Sequence, residues 1–216
     1  GLVADTKSSI VNFYPQCRRI LTPGLLRKLT RMEVYGESFI SRRLRQYETE
    51  LEELPWLSQV SAADFMGYTQ STMMKDNDQL SMAVALELRQ PFFDHELVEF
   101  MMSVPDKFKY PVYPKKLLVD ALGDLIPREV VHRPKQGFLF PWKYWMKKEL
   151  RSFCEKYLHR IGDRDFVNYP QLMNHWKRFL QDDTSVRWME IWLFVILENC
   201  LEKNRRNSQT RYPCPG

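Results

Sequence analysis

No stretch of this chain alternates apolar and polar residues with β-branched enrichment; its apolar residues recur at intervals of three and four. That spacing belongs to helices that bury one face. Leu25, Leu26, Leu29 and Met32 show it after Thr22-Pro23, where threonine suits a cap and proline the first helical position. Phe39, Ile40, Leu44, Tyr47, Leu51 and Leu54 show it again, and Pro55 closes that helix. Ser61-Ala-Ala-Asp64 reads as a capping box opening a helix with Phe65, Met66, Tyr68, Met73 and Met74. Lys75-Asp-Asn-Asp78 reads as a turn. Asp94 is placed to cap a helix over 95–104, and further helices are expected over 115–122, 127–131, 142–157 and 171–180. Asp183-Thr-Ser185 caps a last helix holding Trp188, Ile191, Trp192, Val195 and Leu197, apolar on several sides and so expected in the middle of a bundle. The expected fold class is mainly α, with a single helical domain over 1–203. From residue 204 to 216 no apolar face remains, which reads as a disordered tail.

Hydrophobic residues make up 44% of the 216, enough for a real core and too many for a disordered chain. The net charge of +5, with acidic and basic residues well mixed, admits an anionic ligand without demanding one. Arginines between 18 and 45 offer an RNA-binding face, but Glu48, Glu50, Glu52 and Glu53 follow directly, so no nucleic acid is expected. None of Cys17, Cys154, Cys200 and Cys214 sits in a Cys-x-x-Cys pair, which points away from a zinc site and toward a reducing, cytoplasmic compartment. The strongest apolar run, 191–197, is far short of the ~20 residues of a membrane span, so no membrane partner is expected.

The informative stretch is 78–94, Asp-Gln-Leu-Ser-Met-Ala-Val-Ala-Leu-Glu-Leu-Arg-Gln-Pro-Phe-Phe-Asp. It reads as a helix ending before Pro91. Placed at 100° per residue, Leu80, Ala83 and Val84 share a face with Glu87 at its centre, while Arg89 lies opposite. Met82, Ala85 and Leu86 on the other faces suggest a helix enclosed by protein. A buried carboxylate there requires a partner or a task. Either it makes a structural ion pair or it lines a site, where burial raises its pKa toward a useful range.

Asp78-x-x-Ser81-Met82-Ala83 followed by Leu86-Glu87-x-Arg89-x-Pro91-Phe92-x-Asp94 resembles the signature of the synthetase domain of asparagine synthetases. Lys115-x-x-Leu118, then Pro127 and Arg133-x-Lys135-x-Gly137-Phe138 with Pro141, matches a second signature in the right order. Gln79, Leu80 and Gln90 depart from the usual pattern, which leaves room for a divergent substrate. The resemblance implies the helical C-terminal portion of an adenine-nucleotide α-hydrolase-like, pyrophosphatase-loop synthetase domain. Such domains join a small-molecule carboxylate to ATP, then pass the acyl group to ammonia or another amine. It assigns the catalytic roles to Glu87 and Lys135. Lys135 stabilises charge at the α-phosphate, and Glu87 orients substrate or takes the proton of the amine. Lys115 and Arg89 are candidates for substrate or phosphate contact. No residue is a metal-ligand candidate.

The family's Ser-Gly-Gly-x-Asp-Ser phosphate loop does not occur in these residues, nor does its later acidic segment. The expectation is therefore that ATP with magnesium serves the complete enzyme and binds this chain alone poorly. The implied partners are upstream nucleotide-binding and glutaminase parts, with a homodimer open. The competing reading is a non-catalytic helical interaction module on the same scaffold.

Overall fold

In the computed structural model, residues 9–32, 38–110, 112, 113, 115–134, 137 and 140–209 are described, 206–209 by backbone alone. Among them α-helices follow one another: α1 (Ile10–Cys17), α2 (Pro23–Leu29), α3 (Phe39–Arg45), α4 (Glu48–Glu52), α5 (Trp56–Asp64), α6 (Met74–Met82), α7 (His95–Ser103), α8 (Asp106–Lys109), α9 (Lys116–Leu122), α10 (Arg128–Val131), α11 (Trp142–Lys147), α12 (Arg151–Gly162), α13 (Tyr169–Leu180) and α14 (Trp188–Gln209). A π-helical segment, Phe65–Met73, joins α5 to α6 without a break. The one extended pairing among the described residues is an isolated antiparallel bridge between Thr30 and Val167. The fold class is mainly α, as the spacing predicts.

Contacts divide the chain into two compact units, one of 1–18 with 37–136 and one of 19–36 with 137–216. The first has a small core of Ile10, Val11, Tyr14, Leu44, Leu51 and Ala63. Leu44 and Ala63 are fully buried because α3 and α5 both pack on α1. The N-terminus of α5 is capped from a distance: the Asp106 carboxylate accepts from Leu57 N at 2.8 Å, Ser58 N at 3.3 Å and Ser58 Oγ at 2.5 Å. Those bonds satisfy amides that the first turn of any helix leaves open. Beyond that core the unit is thin. None of α6, α7, α8, α9 and α10 buries a residue.

The second unit is better filled. Leu29 of α2 joins Met146, Leu158, Ile161, Leu172, Trp176, Phe179, Ile191 and Val195 in one cluster. The bridge that brings α2 in is made by Arg31 N donating to Phe166 O and Asn168 N donating to Leu29 O. α14 buries Ile191, Phe194 and Val195, yet Met189, Leu193 and Leu197 lie on an exposed stripe, so it borders its bundle instead of filling the middle. It continues to Gln209, six residues into the stretch read as a tail.

Several local expectations need correction. Ser61 opens no helix: α5 starts at Trp56, and Ser61 Oγ donates back to Leu57 O. The stretch 75–78 is inside α6, not a turn. The helix expected over 142–157 is two helices, because Lys148 (φ −119°, ψ −97°) breaks the run and Trp145 O accepts from both Lys148 N and Leu150 N.

Candidate functional site

The helix expected through Arg89 ends seven residues earlier, at Met82. Leu86 N donates to Ser81 O at 2.9 Å and, nested inside, Ala85 N donates to Met82 O at 3.0 Å. This pair of bonds closes a helix when the residue after the cap turns left-handed. Ala85 does so, with φ +56°. Residues 86–90 then run without helix or strand to the 3-10 turn Pro91–Phe93, and Asp94 caps α7 through Glu96 N and Leu97 N.

Glu87 therefore does not lie on an enclosed helix face. Its side chain is 72% exposed and that of Arg89 87%. Instead of standing opposite, Arg89 grips Glu87: Nη2 is 2.8 Å and Nε 3.0 Å from Oε1. An alternating extended backbone would not bring 87 and 89 apart as a helix does; it puts both on one side. Leu80, Val84 and Leu86 are also exposed, at 72%, 74% and 57%. An ion pair this open is heavily screened and contributes little by itself.

Lys115 is the residue before α9 and is itself left-handed, φ +63° and ψ +25°. Its side chain makes no ion pair or hydrogen bond with another described residue, Glu87 and Arg89 included. The next turn holds a self-contained network. Lys116 pairs with Asp120, which also accepts from Tyr113 Oη at 2.7 Å. The lysine, and then the tyrosine, holds the Asp120 carboxyl below its usual range, while the same carboxylate pushes Lys116 and Tyr113 up. Lys135 lies outside the described residues. Of the four candidates, then, the structure joins Glu87 with Arg89 and leaves Lys115 separate.

Sequence reasoning missed two features of this unit. One is a hub in which Tyr14 Oη donates to Asp64 Oδ1 at 2.7 Å, Arg18 pairs with the same oxygen, and the Arg18 guanidinium stacks 4.5 Å over the Tyr68 ring. Burial, then the Asp64 bond, raises the Tyr14 pKa. The i, i+4 spacing of Tyr14 and Arg18 was the available signal. The other is an apolar groove of about 330 Å³ next to the motif, lined by Phe65, Phe92, Phe93, Leu97, Met101 and Met102, with Asp64 at its edge. Among the described residues no three His, Cys, Asp or Glu side chains gather in a way that could hold a metal ion, and no helix is long and apolar enough to cross a membrane.

Comparison with known proteins supports the family that the motifs resemble. Glutamine-hydrolyzing asparagine synthetase 1 of Bacillus subtilis (strain 168) is 28% identical over 156 residues, 70% of this chain and 24% of that protein. The glutamine-hydrolyzing asparagine synthetase of Homo sapiens is 38% identical over 101 residues, 44% of this chain and 18% of that protein. A putative asparagine synthetase of Mycobacterium bovis is 33% identical over 85 residues, 39% of this chain and 13% of that protein. The chain thus spans about a quarter or less of the length of these relatives. No solved structure matches it. The asparagine synthase family model matches residues 10–202, nearly the whole chain, and the protein belongs to that family.

Proposed function

We propose that these 216 residues are the C-terminal helical part of an ATP-dependent, amide-forming enzyme of the asparagine synthetase type, and that they are inactive alone. The observation that carries this reading is the mismatch between motif and burial. The segment with the family signature, the end of α6 with the turn and loop after it, buries none of its residues, and Leu80, Val84 and Leu86 face solvent. Monomeric proteins rarely leave apolar side chains together in water, and patches of this kind mark surfaces that another body covers. An upstream nucleotide-binding part is the occupant proposed here, and a glutaminase part would precede it.

The roles follow from chemistry. The carboxylate substrate attacks the α-phosphorus of ATP, and pyrophosphate leaves. The amine then attacks the acyl carbon, AMP leaves, and the amine loses a proton. Glu87, steadied by Arg89, is the proposed acceptor of that proton. Such a base needs water excluded around it to act strongly. No described residue excludes water from Glu87, so the covering part would complete the site. Lys135 is the proposed cation at the phosphates and Lys115 a second one. The described residues offer no cluster of three carboxylate, histidine or cysteine side chains for magnesium.

The test is turnover by the complete protein. Glu87→Gln and Lys135→Ala are expected to abolish AMP and pyrophosphate release with the circular dichroism spectrum unchanged. Activity retained by both removes the site assignment. Pyrophosphate released by the 216 residues alone from ATP, aspartate and ammonia overturns the claim of inactivity. The second reading, a non-catalytic interaction module, draws on the same exposed apolar face. It gains if the complete protein lacks turnover while that face binds another protein.

A further inference from the structure

We infer that Ala85 is a positioning residue: its left-handed backbone sets the direction in which the Glu87 carboxylate leaves the end of α6. The inference rests on the reading of Glu87 proposed above. It starts from what holds residues 86–90 in place. Behind them, the nested bonds Leu86 N to Ser81 O and Ala85 N to Met82 O fix the turn. Ahead of them, the next backbone bond is Phe93 N to Gln90 O, after which Pro91 has already fixed its own φ. Between these anchors Glu87, Leu88, Arg89 and Gln90 donate no backbone hydrogen bond among the described residues. Nor does burial hold them, since Leu86 and Leu88 are 57% and 48% exposed. The dihedral angles of Ala85 therefore set the direction in which the chain leaves α6 toward the Glu87–Arg89 pair.

Those angles are an unusual choice for alanine. The Cβ of any L-residue crowds the following carbonyl at φ +56°, and glycine is the residue that avoids this. A turn that served only to stabilise a core would have little to stabilise here, because α6 buries none of its residues. What the turn does fix is an exit angle, two residues before the candidate base. A displacement of about 1 Å at a reacting group is enough to cost on the order of a hundredfold in rate.

The experiment compares Ala85→Gly, Ala85→Asn and Ala85→Val in the complete protein. Glycine and asparagine tolerate the left-handed region, and a β-branched residue does not. Glycine and asparagine are expected to keep kcat within about threefold, while valine lowers it about tenfold or more with the KM for ATP unchanged. A valine variant with kcat within twofold of the parent overturns the inference, as does a KM for ATP that rises in step with the loss. Should Ala85→Val and its substitute Ala85→Thr both fail to fold while glycine and asparagine fold, the turn is a folding element and the inference also falls. Full activity of Glu87→Gln alone retires the reading of Glu87 itself, which separates that failure from this one.

Discussion

His175 Nε2 lies 2.9 Å from Glu190 Oε2, and both side chains are buried, at 5% and 6% exposure. The bond ties α13 to α14. Glu190 is also the anchor for Arg187, whose Nε approaches Oε1 at 2.8 Å and whose backbone N–H donates to Oε2 at 3.2 Å. One carboxylate thus satisfies an imidazole, a guanidinium and an amide at the start of α14. Glu190→Ala leaves a buried histidine without its partner and is expected to destabilise the 216-residue chain by about 3 kcal/mol. Chemical denaturation measures it. A loss under about 1 kcal/mol would show that water replaces the carboxylate at no great cost.

Gly162 closes α12 against the ring of Tyr169. A Cβ built there would overlap that ring, with Cε2 at 2.7 Å. The ring is held in turn by the 2.6 Å bond from its hydroxyl to His159 Nδ1. Gly162→Ala is expected to cost about 1–3 kcal/mol, the usual range for overpacking. Pairing it with Tyr169→Ala should recover most of the loss beyond that of Tyr169→Ala alone. Strict additivity of the two changes would mean that the loss at Gly162 does not come from the ring.

Acid should weaken the turn between α13 and α14 in a defined window. Lys147, then Lys143, holds the Asp182 carboxyl down at about 2, and Ser185 with Arg178 does the same for Asp183. A carboxyl whose folded pKa lies below its ordinary value, 3.8 here, stabilises the fold above about pH 4. That contribution fades as pH falls from there through 2. The melting-temperature deficit of Asp182→Asn is therefore expected to be full at pH 5, to be mostly lost by pH 2 and to vanish below it. A deficit constant across that range would exclude the ion pairs as its cause.

Leu80 and Val84 test the covering of the motif face. In the 216 residues alone, Leu80→Glu and Val84→Glu change exposed positions and are expected to move stability by no more than about 0.5 kcal/mol. In the complete protein the same changes would bury a charge under the proposed nucleotide-binding part and lower its melting temperature clearly. Equal effects in both settings would leave that face without an occupant.

What the sequence disclosed was local. Thr22 caps α2 by accepting from Leu25 N, and Asp94 caps α7, each within three residues of its partner. Where partners are distant, the pattern was silent or misleading. Asp64 looked like the far half of a capping box at Ser61, but its carboxylate meets Tyr14 and Arg18 instead. The cap of α5 comes from Asp106, 48 residues beyond Ser58. The end of α6 escapes the pattern for another reason. Pro91 gave a clear stop signal, whereas the true exit depends on a left-handed alanine, which composition does not mark. Helical periodicity does not foretell the exposure of Glu87, because it identifies an apolar face, not what lies against it. The family resemblance, carried by spaced motifs, was legible without any of this.

The place of α2 has a practical consequence. Its unit is discontinuous in sequence, since residues 19–36 share a core with 137–216. A cloning boundary drawn near residue 136 would separate Leu29, which is fully buried, from the cluster it fills, and strip the Thr30–Val167 pairing as well. Expression of 137–216 by itself should yield material with an empty slot in that cluster, prone to aggregate. A shorter version that keeps this fold must carry both pieces, for instance 19–32 linked to 140–209.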